Sequence, residues 1–409
     1  MSDTGNPATP PATTANKALT LSTVAFTVCF AVWTIFSIIG VQIRQELALS
    51  DTQFGLLLGM PILTGSVVRI VLGVMTDRLG GRLIYTVTML ATAAATFLLS
   101  WAGSYPQMLL AALGVGLAGG SFAVGVAYVS RFFPSAKQGT ALGIFGVGNV
   151  GAALTKFIAP FVMVALGWQA TAQIWAAVLA LIAIAFWLLS EDDPVIRQER
   201  VTGRPPRSLR DEFAPLANIR VWRFSLYYFF AFGGFVALAL WLPHYLIEVY
   251  GFDIKTAGMI GAAYSVPASI FRAYGGILSD RIGARRVMYR MLVVSLLMTA
   301  ILSLPGGVSI LIFIPVIFVL GFFMSLGKAA VYKHVPSYFP QNVGAVGGLV
   351  GMIGGLGGFF LPFLFGWLRD ATGIWSSCFM AMFVLVALCL AWMEVSIRRI
   401  GRANAPQAA

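Results

Sequence analysis

Two arginines, Arg69 and Arg272, stand inside apolar segments at equivalent places in the chain. The first begins Arg69-x3-Gly73-x3-Asp77-Arg78-x-Gly80-x-Arg82, the second Arg272-x3-Gly276-x3-Asp280-Arg281-x-Gly283-x-Arg285. Every matched position is displaced by 203 residues (272 − 69 and 285 − 82). A guanidinium keeps its charge and presents planar, forked donors. A charge deep in a membrane span is costly unless it lines a cavity or finds a partner. No Asp or Glu falls near the middle of any predicted span. Two such cations facing each other repel unless an anion sits between them. The chemistry implied is binding of an anion that accepts hydrogen bonds in a plane. The alternative is that each arginine snorkels or is satisfied by backbone carbonyls.

The elements that must hold these arginines follow from composition. The chain is 59% hydrophobic and 10% charged, with mean hydropathy +0.87. Apolar runs near the ~20 residues needed to cross a bilayer recur along almost its whole length. The expectation is an all-α polytopic membrane protein of twelve helices in two six-helix halves, at 18–189 (spans 18–42, 53–76, 83–101, 106–129, 139–166 and 169–189) and 221–396 (spans 221–248, 256–279, 287–304, 308–332, 343–367 and 374–396). A disordered cytoplasmic tail is expected at 1–17, a cytoplasmic linker at 190–220 and a second cytoplasmic tail at 397–409. The linker is the one long polar segment, with Asp192, Asp193 and Pro194 followed by Arg197, Arg200, Arg204, Arg207 and Arg210. The net charge of +12 is concentrated in the even-numbered connections, so these and both termini are placed in the cytoplasm by the positive-inside rule. That accounts for the basic balance without nucleic acid. Cys29, Cys378 and Cys389 all lie in apolar segments and suggest neither a disulfide framework nor a metal site.

The duplicated loops suggest a gate. Asp77 and Asp280 lie at helix ends followed by Arg78, Arg82, Arg281 and Arg285, where a carboxylate can pair with arginines and with a helix N-terminus. Such pairs form a latch that breaks when the halves rock; the plain alternative is a surface salt bridge of little worth. A second repeat supports the duplication: Phe132-Phe133-Pro134 and Tyr338-Phe339-Pro340 each precede a glycine-rich helix. The first of those helices reads Gly139-Thr-Ala-Leu-Gly143-Ile-Phe-Gly146-Val-Gly148-Asn149-Val-Gly151, and the second carries eight glycines from Gly344 to Gly358. Small residues let helices approach closely. Asn149, an amide in an apolar helix, needs a partner.

The Gly73-to-Arg82 loop and its copy resemble the cytoplasmic signature of the major facilitator superfamily. With Arg69, Arg272 and the two glycine-rich helices, the chain is similar to the nitrate/nitrite porter family. The resemblance implies that the two arginines clasp a planar anion and that aromatic rings pack on its faces. Phe122, Tyr228, Phe232 and Tyr332 best match those ring and hydroxyl positions, with Asn149 as a further contact. Tyr228 and Phe232 are four apart and share a helix face.

Basic residues near the tenth span are the candidates for proton coupling: Lys328, Lys333 and His334. A desolvated lysine can give up its proton where arginine cannot. Lys156, in the fifth span, can face the cavity or snorkel, and the sequence does not decide. The resulting expectation is nitrate, and with it nitrite, transport by alternating access across the bacterial cytoplasmic membrane. Lys328 favours proton-coupled uptake; nitrate/nitrite exchange and carriage of another small or organic anion are the alternatives. An enzyme is not expected, nor a cofactor, and the carrier is expected to be monomeric. The run Gly146-x-Gly148-x-x-Gly151 matches a dinucleotide fingerprint only in letters, since no strand precedes it.

Overall fold

A computed structural model gives the architecture; it describes residues 11–192, 194, 217–338 and 343–404. The described residues form helices and no strand. In hydrocarbon every backbone polar group must be satisfied within the protein, and a helix does so within its own segment. The N-terminal half comprises α1 (Ala12–Trp33), α2 (Phe36–Glu46), α3 (Asp51–Leu79), α4 (Gly81–Leu99), α5 (Tyr105–Val115), α6 (Ser121–Ser130), α7 (Ser135–Gly146) and α8 (Gly151–Leu189). The C-terminal half comprises α9 (Ile219–Tyr228), α10 (Phe235–Tyr250), α11 (Ile254–Ile270), α12 (Arg272–Ile282), α13 (Ala284–Leu302), α14 (Ile310–Tyr338), α15 (Val343–Thr372) and α16 (Ser377–Asn404).

Nine helical stretches among the described residues are long and apolar enough to cross a membrane. One of them runs 49 residues, Ala141–Leu189, far beyond one crossing, and reverses at Gly167 (φ 83°, ψ 167°). That turn falls in the gap expected between the fifth and sixth spans. The eighth and ninth expected spans correspond to α11 with α12 and to α13. These carry Arg272, Asp280 and Arg281, and Arg285, Arg286 and Arg290, so length and apolarity alone do not single them out. The twelve-crossing arrangement fits this fold. At the ends, helix is already present at Ala12 with Ala15 buried, and α16 continues to Asn404. Both lie outside the expected spans. Most of the expected linker lies outside the described residues.

The loop repeat has a shared backbone geometry. Gly80 has φ 95° and ψ 145° and donates to the Thr76 carbonyl (3.0 Å). Gly283 has φ 89° and ψ 133° and donates to the Ser279 carbonyl (3.1 Å). Positive φ is strained for side-chain-bearing residues, so glycine at both positions is a conformational requirement of the tight turn.

The broadest contact between the halves is α3 against α15. A Cβ at Gly59 would meet the Phe359 carbonyl oxygen at 2.7 Å, and one at Gly55 or Gly366 would collide with backbone of the facing helix. Close approach of this kind replaces hydrophobic contact as the adhesive between helices in lipid. A second contact joins α8 to α11, where Gly258 and Gly261 lie on Lys156. Lys156 is fully buried and donates to the Ala152 carbonyl, four residues earlier (3.2 Å). It thus stands at the seam between the halves.

Candidate functional site

Four departures from regular α-helix surround the two arginines. A 3₁₀ segment, Gly116–Gly120, separates α5 from α6; another, Val147–Val150, separates α7 from α8. A π segment, Phe229–Gly234, separates α9 from α10. The fourth is the break at Phe271 between α11 and α12 (φ −70°, ψ 1°). Each exposes backbone or re-aims a side chain, which a membrane protein tolerates where the backbone is buried in protein. The first supplies the Gly119 carbonyl, the second Asn149, the third Phe232, and Arg272 follows the fourth directly.

Arg69 is 7% exposed. Its Nε donates to the Gly119 carbonyl (3.2 Å) and its Nη1 to the Gly351 carbonyl of the other half (3.1 Å). Backbone carbonyls therefore do engage this arginine, as the alternative reading of the sequence allowed. Three rings also surround it: Trp33, Phe122 and Phe232, at 5.7, 5.6 and 5.6 Å from the guanidinium carbon. Arg272 lies over Phe122 and Tyr332, each at 5.8 Å. Its Nη1 is buried and makes no hydrogen bond among the described residues. Phe122 is thus common to both cations, which lie within Coulombic reach of each other.

The two remaining predicted rings, Tyr228 and Tyr332, gather at the same place. Tyr228 stacks on Phe232 (5.2 Å, 8°) and meets Tyr332 edge-on (4.8 Å, 78°). The Tyr332 hydroxyl donates to the Gly347 carbonyl (3.0 Å). Asn149 is 1% exposed, and its Nδ2 has no hydrogen-bond partner among the described residues. A buried amide or guanidinium N–H left unpaired is costly, so Asn149 and Arg272 each present a donor for an acceptor that the described residues do not supply. The glycines of α15 make room for this cage. A Cβ at Gly355 would meet Ser66 Oγ at 2.5 Å, one at Gly351 would meet the Tyr332 hydroxyl at 2.6 Å, and one at Gly354 would collide with the Tyr228 ring.

Lys328 is fully buried, donates to the Ala268 carbonyl (2.5 Å) and lies 3.7 Å from the centre of the Phe235 ring. Ala268 is one turn before Arg272, beside the helix break, so the ammonium satisfies backbone next to the arginine it feels electrostatically. Lys333 and His334 are elsewhere. Asp280 forms its ion pair with Lys333 and not with Arg281 or Arg285 as the sequence suggested, because α12 packs along α14 and brings the two side chains together. His334 stacks on Phe224 (5.3 Å, 4°) beside Tyr338 and lines a cleft with Arg285. Arg82 donates twice to the Trp187 carbonyl (3.2 and 2.6 Å) and approaches Asp192 at 4.0 Å. Arg281 is exposed. The side chains of Asp77 and Arg78 lie outside the described residues.

The end of the bundle opposite these loops holds a polar network that sequence reasoning missed. His244 Nε2 lies 2.9 Å from Asp51 Oδ1. Arg44 bonds Asp51 (3.0 Å) and Glu248 (3.2 Å). Asp370 accepts from the backbone N–H groups of Asp51 (3.2 Å) and Thr52 (2.7 Å) and from the Thr52 hydroxyl. Asp51, Thr52 and Arg44 belong to the first half and His244, Glu248 and Asp370 to the second, so every one of these bonds except Arg44–Asp51 ties the halves together. Trp33, whose Nε1 donates to the Pro61 carbonyl (2.8 Å), is a second omission. A sequence signal existed for the network: acids are few, and these sit at helix ends on the side poor in cations. What it could not give is the pairing, which joins residues 193 positions apart for Asp51 and His244.

Comparison with known proteins places this geometry among relatives. Residues 21–263 and 250–408 match the Major Facilitator Superfamily. The chain is 42% identical to the "Probable nitrate/nitrite antiporter NarK1" of Thermus thermophilus, over 94% of this chain and 92% of that one. It is 31% identical to the "Nitrite extrusion protein" of Bacillus subtilis, over 92% and 94%. It is also 31% identical to the "Probable nitrate transporter NarT" of Staphylococcus epidermidis, over 90% and 94%. Among solved structures, a bacterial homologue of the human lysosomal transporter Spinster in an inward-facing, unoccupied conformation superposes with TM-score 0.78 at 17% identity, covering 98% of this chain and 100% of that chain. The nucleoside transporter NupG gives 0.74 at 15%, covering 92% and 99%. At these identities the two structures share the fold with this chain and carry no argument about substrate.

Proposed function

The chain belongs to the nitrate/nitrite porter family of the major facilitator superfamily, and on that premise we propose that it carries nitrate and nitrite across the bacterial cytoplasmic membrane. The observation that supports this most is that Arg69 and Arg272 both lie against the ring of Phe122. Both cations lack a carboxylate partner among the described residues, and Arg272 Nη1 and Asn149 Nδ2 lack any hydrogen-bond partner there. A small planar anion between the guanidiniums offsets their repulsion and accepts from both forks. The rings of Phe122, Phe232, Tyr228 and Tyr332 cover it and exclude water, which strengthens each bond.

Alternating access follows from where the halves touch. The Asp51–His244 network seals the end opposite the charged loops, which we assign to the outside, with both termini in the cytoplasm. Breaking that network and making contacts at the loop end exposes the site to the other side. The Asp280–Lys333 pair acts as the latch of the loop end within the C-terminal half.

Lys328 supports proton-coupled uptake as the mode. It is a buried titratable amine next to Arg272, so a proton on it and an anion at Arg272 favour each other, and the linkage is reciprocal. The second reading is nitrate/nitrite exchange. It is favoured by the hydrogen bond that already engages Lys328 with Ala268, a structural use that needs no titration. Purified protein in liposomes separates the two. Uptake of labelled nitrate driven by an imposed pH gradient with no internal anion supports coupling. Uptake only when nitrite or nitrate is loaded inside supports exchange. Uptake in neither case overturns the transport reading.

A further inference from the structure

A second basic cluster has no part in the transport site. It lies at the loop-bearing end of the C-terminal half, where the starts of α9 and α13 meet the ends of α14 and α16. Arg223, Tyr227, Arg285 and His334 converge there on a cleft walled by Met288 and Met393.

Two of these polar groups are built in rather than merely near. Tyr227 is 1% exposed and His334 8%, yet neither the Tyr227 hydroxyl nor His334 Nε2 has a hydrogen-bond partner among the described residues. The imidazole is not free to turn away, because it is stacked on Phe224 and flanked by Tyr338. Each of these orphaned groups is costly where it stands. The charges are unbalanced as well. Neither Arg223 nor Arg285 pairs with a described carboxylate. Among the described residues, Asp280 is committed to Lys333 and Glu394 to Arg398 (3.0 Å).

We propose that this cleft binds a phosphoryl oxyanion, either the headgroup phosphate of an anionic phospholipid or free inorganic phosphate. The donors come from three different helices and therefore surround a ligand rather than lie in one plane. A tetrahedral group with several acceptor oxygens answers two guanidiniums, a phenol and an imidazole together. The methionine walls, Met288 and Met393, also accept the apolar part of a lipid.

The test uses the full-length protein in two settings. In detergent, inorganic phosphate is titrated by calorimetry. In nanodiscs, retention of phosphatidylglycerol against phosphatidylcholine is read by native mass spectrometry. Arg223→Gln removes one guanidinium, and Tyr227→Phe removes only the hydroxyl; the phenylalanine variant keeps the packing and decides the matter should the first fail to fold. The expected result is a loss of affinity of about tenfold in Arg223→Gln and about threefold in Tyr227→Phe. Phosphate binding in detergent that phosphatidylglycerol does not displace identifies the free anion as ligand. Selective retention of phosphatidylglycerol with only weak phosphate binding identifies the lipid. No binding of either probe, or binding unchanged in both variants, overturns the proposal.

Discussion

His244 and Asp51 meet across the two halves of the molecule at 2.9 Å, with both side chains almost wholly buried. The carboxylate only accepts, so Nε2 carries the proton of that bond. Nδ1 faces Glu248 at 3.8 Å, too long for a hydrogen bond. Phe54, Trp241 and Trp375 pack edge-on around the imidazole, so water is kept from the pair and the bond is strong. This contact ties the two halves together at the end of the protein away from the charged loops.

Asp51→Asn keeps the shape and removes the charge, which leaves Arg44 and His244 under-compensated and loosens the seal. Thiol labelling of Leu58→Cys, a fully buried position behind the seal, is expected to accelerate on the order of tenfold in the Asp51→Asn background. Equal labelling rates in the two backgrounds would count against a gate here.

Arg69→Lys and Arg272→Lys each retain charge and lose the planar fork. Nitrate affinity, measured by equilibrium binding to folded protein, is expected to drop about tenfold or more in either variant. Arg69 should also lose its bridge to Gly351, so its variant is predicted to be the less stable of the two. Parental affinity in both would refute the clasp.

The glycines of α15 are not equivalent. Gly348 has open space around it, whereas a Cβ at Gly354 runs into the Tyr228 ring. Gly348→Ala is expected to transport at near the parental rate. Gly354→Ala displaces Tyr228 from its stack with Phe232, and overpacking of this kind costs about 1–3 kcal/mol, enough to lower nitrate affinity roughly tenfold. Similar transport by both alanine variants would remove the aromatic cage from the account.

Lys328→Gln separates coupling from binding. In liposomes the variant is expected to lose pH-gradient-driven nitrate accumulation while nitrate-for-nitrate exchange survives. A variant that still concentrates nitrate as the parent does shows that Lys328 serves only the Ala268 carbonyl.

Asp280→Asn tests the latch. Its partner Lys333 stands outside the anion site, so the exchange rate should fall several-fold with nitrate affinity unchanged. A binding constant that collapses along with the rate would place Asp280 in substrate binding instead.

The sequence by itself determined the class and the symmetry. Membrane helices announce themselves through length and apolarity, because a bilayer imposes both. A 203-residue repeat survives in the letters because each half needs the same tight turn, at Gly80 and at Gly283, and the same arginine. Arg69, Arg272, Asn149, Phe122, Tyr228, Phe232 and Tyr332 could be picked out in the same way, from the repeat, from an amide among apolar residues and from the family pattern. The tertiary structure decided what those residues touch. Phe122 serving both arginines, Lys328 reaching Ala268 and Asp51 reaching His244 are distances between helices far apart in the chain, and no local periodicity encodes them. The irregular segments at 116–120, 147–150 and 229–234 were equally invisible. A 3₁₀ or π turn differs from an α turn by a shift of one hydrogen bond, which packing against neighbouring helices selects and residue type alone does not.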